Sequence, residues 1–259
     1  MTPLEELLFR LADDEYVIAE RYTEWQIYAP TIESDLALAN IAQDEFGHAR
    51  LWYDVLEERG YEEKDLLWER DPEDFRHSTL CELAFEEGDW ADPVVRSYLY
   101  DTAERLRLEA LVDSSEPAIA GRVGKLLSEE NYHREHAQSW LERLAEGNES
   151  HHRVQAALDR LFPHALSIFE PGEQEKEIVS QGLRTESLDD LREEWFEITI
   201  PYLESLGLSV PEPEEVARPD ARGRDGSHTA DWFDLHESFT ATYHELGFDQ
   251  PTRLRGEGA

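Results

Sequence analysis

Two short segments of this 259-residue chain carry the same acid–Glu–x–x–His pattern, Asp44-Glu45-Phe46-Gly47-His48 and Glu129-Glu130-Asn131-Tyr132-His133. On a helix, positions i and i+3 share a face, so Glu45/His48 and Glu130/His133 each present a carboxylate beside an imidazole. Two such motifs, completed by one carboxylate from each of two further helices, form the ligand set with which helix bundles hold two iron or manganese ions. Oxygen and nitrogen donors without a soft thiolate suit those ions rather than copper. Buried without a metal, the same carboxylates would carry a heavy desolvation cost. A single E-x-x-H in an acidic helical protein is usually a solvated face; a duplicated one, each copy preceded by an acid, is a far more specific signal.

The ligands require four long helices, and the first 147 residues supply the signals for them. Thr2-Pro3 caps a helix running to about Tyr28, and Ala29-Pro30-Thr31 interrupts it. A second helix runs from about Glu33 to Glu58 and stops at Arg59-Gly60. Residues 61–91 read as a mixed connection with a short helix near Leu80–Glu87. Asp92-Pro93 opens a third helix ending near Val112, and a fourth runs from Pro117 to about Ala145. No alternating strand pattern competes, so the expected fold is all-α: an antiparallel four-helix bundle made of two hairpins, over residues 1–147. Residues 148–259 read as a helical extension packed on it, with helices near His151–Leu161, Leu188–Leu206 and Ala230–Leu246 and a linker, VPEPEEVARPD, before the last.

Hairpin geometry locates the two missing carboxylates. In straight antiparallel helices, residues equidistant from the turn lie level, because each residue rises about 1.5 Å. Glu45 lies as far after Pro30 as Glu15 lies before it, and the Ser115-Glu116 turn places Asp101 level with Glu130. The rivals Glu20 and Glu109 sit about 7–12 Å off level and Glu104 about 4–5 Å, which favours Glu15 and Asp101. The expected ligands are therefore Glu15, Glu45, His48, Asp101, Glu130 and His133. Metal-bound histidines usually donate their other N–H to a carboxylate, so Asp44 is expected to bond His133 and Glu129 to bond His48, across the bundle.

Composition narrows the setting. Sixty acidic against 24 basic residues leave a formal charge of −36, which disfavours nucleic acid and acidic membrane surfaces as partners. No run of about 18 apolar residues is present, and the N-terminal residues lack the basic-then-apolar pattern of a signal peptide, so a cytoplasmic protein is expected. Cys81 is the sole cysteine, which excludes an internal disulfide and a multi-cysteine zinc site. Only Lys64, Lys125 and Lys176 are lysines; an acidic, lysine-poor surface suits a salt-rich, halophilic cytoplasm, where screening removes most self-repulsion.

At these residues the chain resembles the ferritin-like subunits of bacterial phenylacetyl-CoA epoxidase, a multicomponent di-iron monooxygenase of phenylacetate catabolism. The stretch APTIESDLALANIAQDEFGHARLWY is similar to both the catalytic member of that complex and its structural, non-catalytic partner: ALANIA resembles the partner and QDEFGHA the catalytic member. SLDDLREEWFEITIPYLESLGLSVPEPE and HTADWFDLHESF resemble the family's C-terminal part. The resemblance implies a ferritin-like fold and places Glu15, Glu45, His48, Asp101, Glu130 and His133 at the ligand positions of the catalytic member, several of which the structural partner lacks. SYLYDTAERLRLEAL and HRVQAALDRLFP resemble the structural partner, so both roles stay open. The implied cofactor is two iron ions, with manganese as the alternative. The implied oxidoreductase activity is reduction of the metal pair, O₂ binding and epoxidation of the aromatic ring of an aryl-CoA thioester. A separate flavin/iron–sulfur reductase would supply electrons, since one cysteine cannot hold a cluster, and a paralogous ferritin-like subunit or a homo-oligomer would complete the assembly.

CoA phosphates require a cationic patch, for which Arg96, Arg105, Arg107, Arg122 and Arg134 are candidates, although ion pairing with the many acids is their ordinary role. Tyr16, Trp25, Tyr98, Tyr100 and Trp140 suit a ring pocket or, more ordinarily, the core; Cys81 suits the core and His136, His151 and His152 the surface. The rival functions are a structural subunit of the same complex, a ferroxidase or iron-storage protein, and a radical-generating reductase subunit using Tyr16.

Overall fold

The computed structural model describes residues 1–85, 89–212 and 216–246, and among them no β-strand occurs. Four long helices appear where the turn signals put them: α1 (Pro3–Thr23), α2 (Ile32–Glu57), α5 (Ala91–Glu109) and α6 (Pro117–Ala145), with the short α3 (Glu63–Leu66) and α4 (Thr79–Glu82) in the connection. Capping fixes their starts. Thr2 accepts from the Glu5 amide while Glu5 reaches back to the Thr2 amide, a reciprocal capping box ahead of Pro3. Thr31 caps α2 through the Ser34 amide.

Two helices end earlier than expected. Beyond Thr23 the chain passes through successive tight turns, and Ile27 takes φ +77°, with its amide donating to Asp35. A β-branched residue in that region cannot continue a helix. α5 stops at Glu109 because Leu111 and Val112 close tighter i→i+3 turns. In the connection, the helix expected near Leu80–Glu87 starts one residue earlier and spans one turn, Thr79–Glu82; its expected end, with part of the VPEPEEVARPD linker, lies outside the described residues.

The helices α1 and α2 pack as one hairpin and α5 and α6 as the other, joined face to face through α2 and α6. α7 (Asn148–Ala165) packs on α5 and α6, α8 (Glu175–Ser180) on α1, α9 (Leu188–Ser205) on α5, and α10 (Ala230–Leu246) on α1 and α4. Trp195 of α9 anchors this layer: its ring meets Phe162 and Phe169 and its indole N–H donates to the Leu99 carbonyl. In consequence α1 and α5 are buried on nearly every face, whereas α2 and α6 keep an exposed side.

The near-total enclosure of α1 buries charged residues, and those outside the Glu15 position find partners. Asp14 accepts from Arg107 (2.6 Å) and Arg224 (2.7 Å) and from the Ser78 amide; Asp13 takes a two-pronged pair from Arg70. Arg224 comes from a tight loop in which Gly223 passes so close to the His77 carbonyl that a Cβ would lie 2.2 Å from it. Only glycine tolerates that approach.

Candidate metal centre

All six expected ligands are fully buried between the four long helices. His48 Nδ1 faces Glu15, Glu45 and Glu130 at 3.6, 3.7 and 3.4 Å, and His133 Nδ1 faces Glu45 and Glu130 at 3.2 and 3.4 Å. The two rings lie 6.0 Å apart and near parallel. Glu45 and Glu130 therefore reach both histidines, and Glu15 belongs to the His48 side. Glu15, Glu45, His48 and Glu130 form the tightest group, their ligand atoms within 4.8 Å of one another. Asp101 is outside that group, on the side where the charges of Glu130 and His133 act on it.

The outward ring nitrogens are held by the acids preceding each motif. His48 Nε2 lies 3.0 Å from Glu129 and His133 Nε2 lies 3.4 Å from Asp44, each contact crossing between α2 and α6. Their inward counterparts contrast sharply. Both carboxylate oxygens of Glu15, Glu45, Asp101 and Glu130, with Nδ1 of both histidines, are buried without a hydrogen-bond partner. Groups so placed need either protons or cations among them.

The electrostatics state the same demand. Burial, then the neighbouring Glu45, push the Glu15 carboxyl well above its ordinary value. Burial and the Glu130 charge do the same to Asp101. Burial also works against charge on Glu45, but the close approach of Glu15, His133 and His48 overrides it and holds this carboxyl low. Both rings are raised despite burial, His48 by contact with Glu130, Glu15 and Glu45, and His133 by Glu130 and Asp44. Four carboxylates against two imidazoles leave an excess of negative charge, and divalent ions satisfy it where protons otherwise must. The donor set fits a pair of iron or manganese ions.

Of the rivals, Glu109 is at the surface with Arg105, and Glu20 is half-buried. Glu104 is fully buried one turn from Asp101, where burial, opposed by Arg107 at 3.1 Å, brings its carboxyl up to about 7. Its rise along α5 puts it off the level of Glu130, and Arg107 holds it.

The expectation of a cationic patch fails for Arg96 and Arg107. Arg96 is fully buried, bonding the Leu80 and Cys81 carbonyls and Asp92, and Arg107 is spent on Asp14 and Glu104. Neither faces an external phosphate. Arg105 pairs with Glu109, and Arg122 with the Ala118 carbonyl and Glu58. Tyr16, Trp25, Tyr98, Tyr100 and Cys81 lie in the core; Trp140 and His136 are half-buried, the latter against the surface expectation.

A second cluster escaped the motif reading. His77, Glu82 and His228 converge although the last lies far along the chain. Burial and the His228 ring lower His77 to about 4; burial works against charge on Glu82, but His228 and His77 draw it down to about 2. The Glu82–His228 contact spans 146 residues, a separation no spacing rule signals.

Comparison with known proteins decides the family. The sequence profile of the phenylacetic acid catabolic protein family matches residues 1–246. The chain belongs to that family. Its helical architecture is accordingly the ferritin-like bundle with additional C-terminal helices. Two subunits of the 1,2-phenylacetyl-CoA epoxidase of Escherichia coli (strain K12) are similar to it. With the one designated C it shares 31% identity over 232 residues, covering 88% of this chain and 91% of that one. With the one designated A it shares 27% identity over 195 residues, covering 73% of this chain and 62% of the relative. No helix among the described residues is long and apolar enough to cross a membrane.

Proposed function

We propose that this chain is the di-iron component of a phenylacetyl-CoA-type epoxidase, acting with O₂ on the aromatic ring of an aryl-CoA thioester in phenylacetate catabolism. One observation carries the reading: every inward polar atom of the six expected ligands is buried and unpartnered, while the outward nitrogens of both histidines are engaged. Glu15 and His48 would hold one ion, Asp101 and His133 the other, with Glu45 and Glu130 shared. The metal pair, iron or manganese, supplies the oxidising chemistry when bound. The chain's own residues fix the ligands and exclude water: Glu129 and Asp44 set the histidine orientation, and the enclosure of α1 and α5 keeps the site dry.

Purified with iron, the chain should carry close to two ions. With a flavin/iron–sulfur reductase and a paralogous subunit it should consume O₂ and form the epoxide of phenylacetyl-CoA. Glu130→Ala should remove metal and activity and leave the fold intact; retention of both metals by that variant would refute the ligand assignment. A partner subunit is supported by exposed Ile27, Tyr28, Ile32 and Leu36 around the α1–α2 turn.

The higher identity to the C-designated relative over nearly its whole length favours a second reading, a non-catalytic subunit of the same complex. Absence of iron from protein purified under iron-replete conditions would establish it. We place the protein in a salt-rich cytoplasm on its charge of −36; its melting temperature should then climb with KCl toward molar concentrations as repulsion is screened.

A further inference from the structure

His77, Glu82 and His228 come from three segments outside the four long helices: the loop before α4, α4 itself and the loop leading into α10. His77 Nε2 lies 2.7 Å and His228 Nδ1 2.6 Å from the same oxygen, Glu82 Oε2, and all three side chains are excluded from solvent. Two of the remaining atoms are already oriented. His228 Nε2 lies 3.2 Å from the Phe75 carbonyl, and Glu82 Oε1 accepts from the Thr229 amide at 2.7 Å.

A carbonyl only accepts, so His228 carries its proton on Nε2. A neutral His228 then presents a bare lone pair from Nδ1 to a carboxylate oxygen, a contact that requires a positive charge between them. Two species fit there: an extra proton or a metal ion. Two imidazoles and a carboxylate, with the outer ring nitrogen and the second carboxylate oxygen tied to backbone groups, form a ligand set with its outer shell in place. Two further atoms at this point, His77 Nδ1 and the Thr229 hydroxyl, are buried without hydrogen-bond partners.

We propose that His77 Nε2, Glu82 and His228 Nδ1 form a second metal site that takes one divalent first-row cation, zinc being the best match, and staples the α10 segment to the bundle. Ligands about 2.0–2.1 Å from a tetrahedral ion stand roughly 3.3 Å apart, so binding opens each nitrogen–oxygen contact by about 0.6–0.7 Å. Gly223 leaves room on this side: a Cβ there would lie 3.3 Å from His228 Nδ1.

The site is independent of the four-helix centre, and the test separates them. The whole chain is dialysed to equilibrium against Zn²⁺ as wild type, H228Q, E45Q/E130Q and E45Q/E130Q/H77Q/H228Q, and bound zinc is measured by elemental analysis. We expect E45Q/E130Q to hold one ion per chain and the quadruple variant none, with zinc raising the melting temperature of the former alone by several degrees. Wild type should exceed H228Q by one ion, whatever the occupancy of the four-helix centre. A folded E45Q/E130Q chain that binds no zinc overturns the proposal and leaves a proton-bridged ion pair in its place. Equal zinc in wild type and H228Q overturns it too, including in the case where E45Q/E130Q does not fold.

Discussion

His48 on α2 hydrogen-bonds Glu129 on α6 at 3.0 Å, so the acid that opens one E-x-x-H motif holds the histidine that closes the other. Lys125 shares the Glu129 carboxylate at 2.8 Å. Because a ligand's outer hydrogen bond fixes its tautomer and orientation, Glu129→Gln should fold normally yet bind iron about 10–100-fold more weakly. Competition with a chelator of known affinity measures the change, and unaltered affinity would mean that the contact is only a surface pair.

Asp101 offers a test in which the sign reverses with metal. Burial and the Glu130 charge disfavour its carboxylate, so Asp101→Asn should leave metal-free protein as stable as wild type or more so. The stabilisation conferred by iron should fall by about 1–3 kcal/mol through weaker ligation. Urea denaturation with and without iron gives both numbers; a metal-free variant clearly less stable than wild type would contradict this account.

Arg224 ties the C-terminal loop to α1 by pairing with Asp14 at 2.7 Å and donating to the carbonyls of Arg76, Ser167 and Ile168. Removing one partner from a buried pair leaves the other charge uncompensated. Arg224→Ala should therefore cost about 3–5 kcal/mol of unfolding free energy. A loss below about 1 kcal/mol, the range of exposed pairs, would show that Arg107 alone suffices for Asp14.

The imidazole of His164 sits 3.0 Å from the Thr79 hydroxyl, and burial lowers it from 6.5 to about 4. Between those values the unfolded chain binds the extra proton and the folded chain does not, so this residue costs stability as pH falls from 6.5 toward 4. In metal-free protein, His164→Gln should flatten the decline of melting temperature over that interval. Parallel curves for variant and wild type would exclude His164 as a contributor.

What the sequence determined by itself was local and periodic. Caps and turn residues delimit the helices around Thr2, Thr31 and Pro117, and the i, i+3 spacing pairs Glu45 with His48 and Glu130 with His133. A constant rise per residue puts Glu15 and Asp101 at the expected level across short turns, and all six of these positions are buried. Tertiary structure alone decided what lies far apart in the chain. Helical periodicity reports an apolar face, yet α1 and α5 are enclosed on nearly every side by α7–α10, and charged residues such as Asp13, Asp14 and Arg107 are buried in pairs rather than solvated. The partners of Asp14, Glu104 and Glu82 follow from that enclosure, because a buried charge must take whichever opposite group the packing brings beside it.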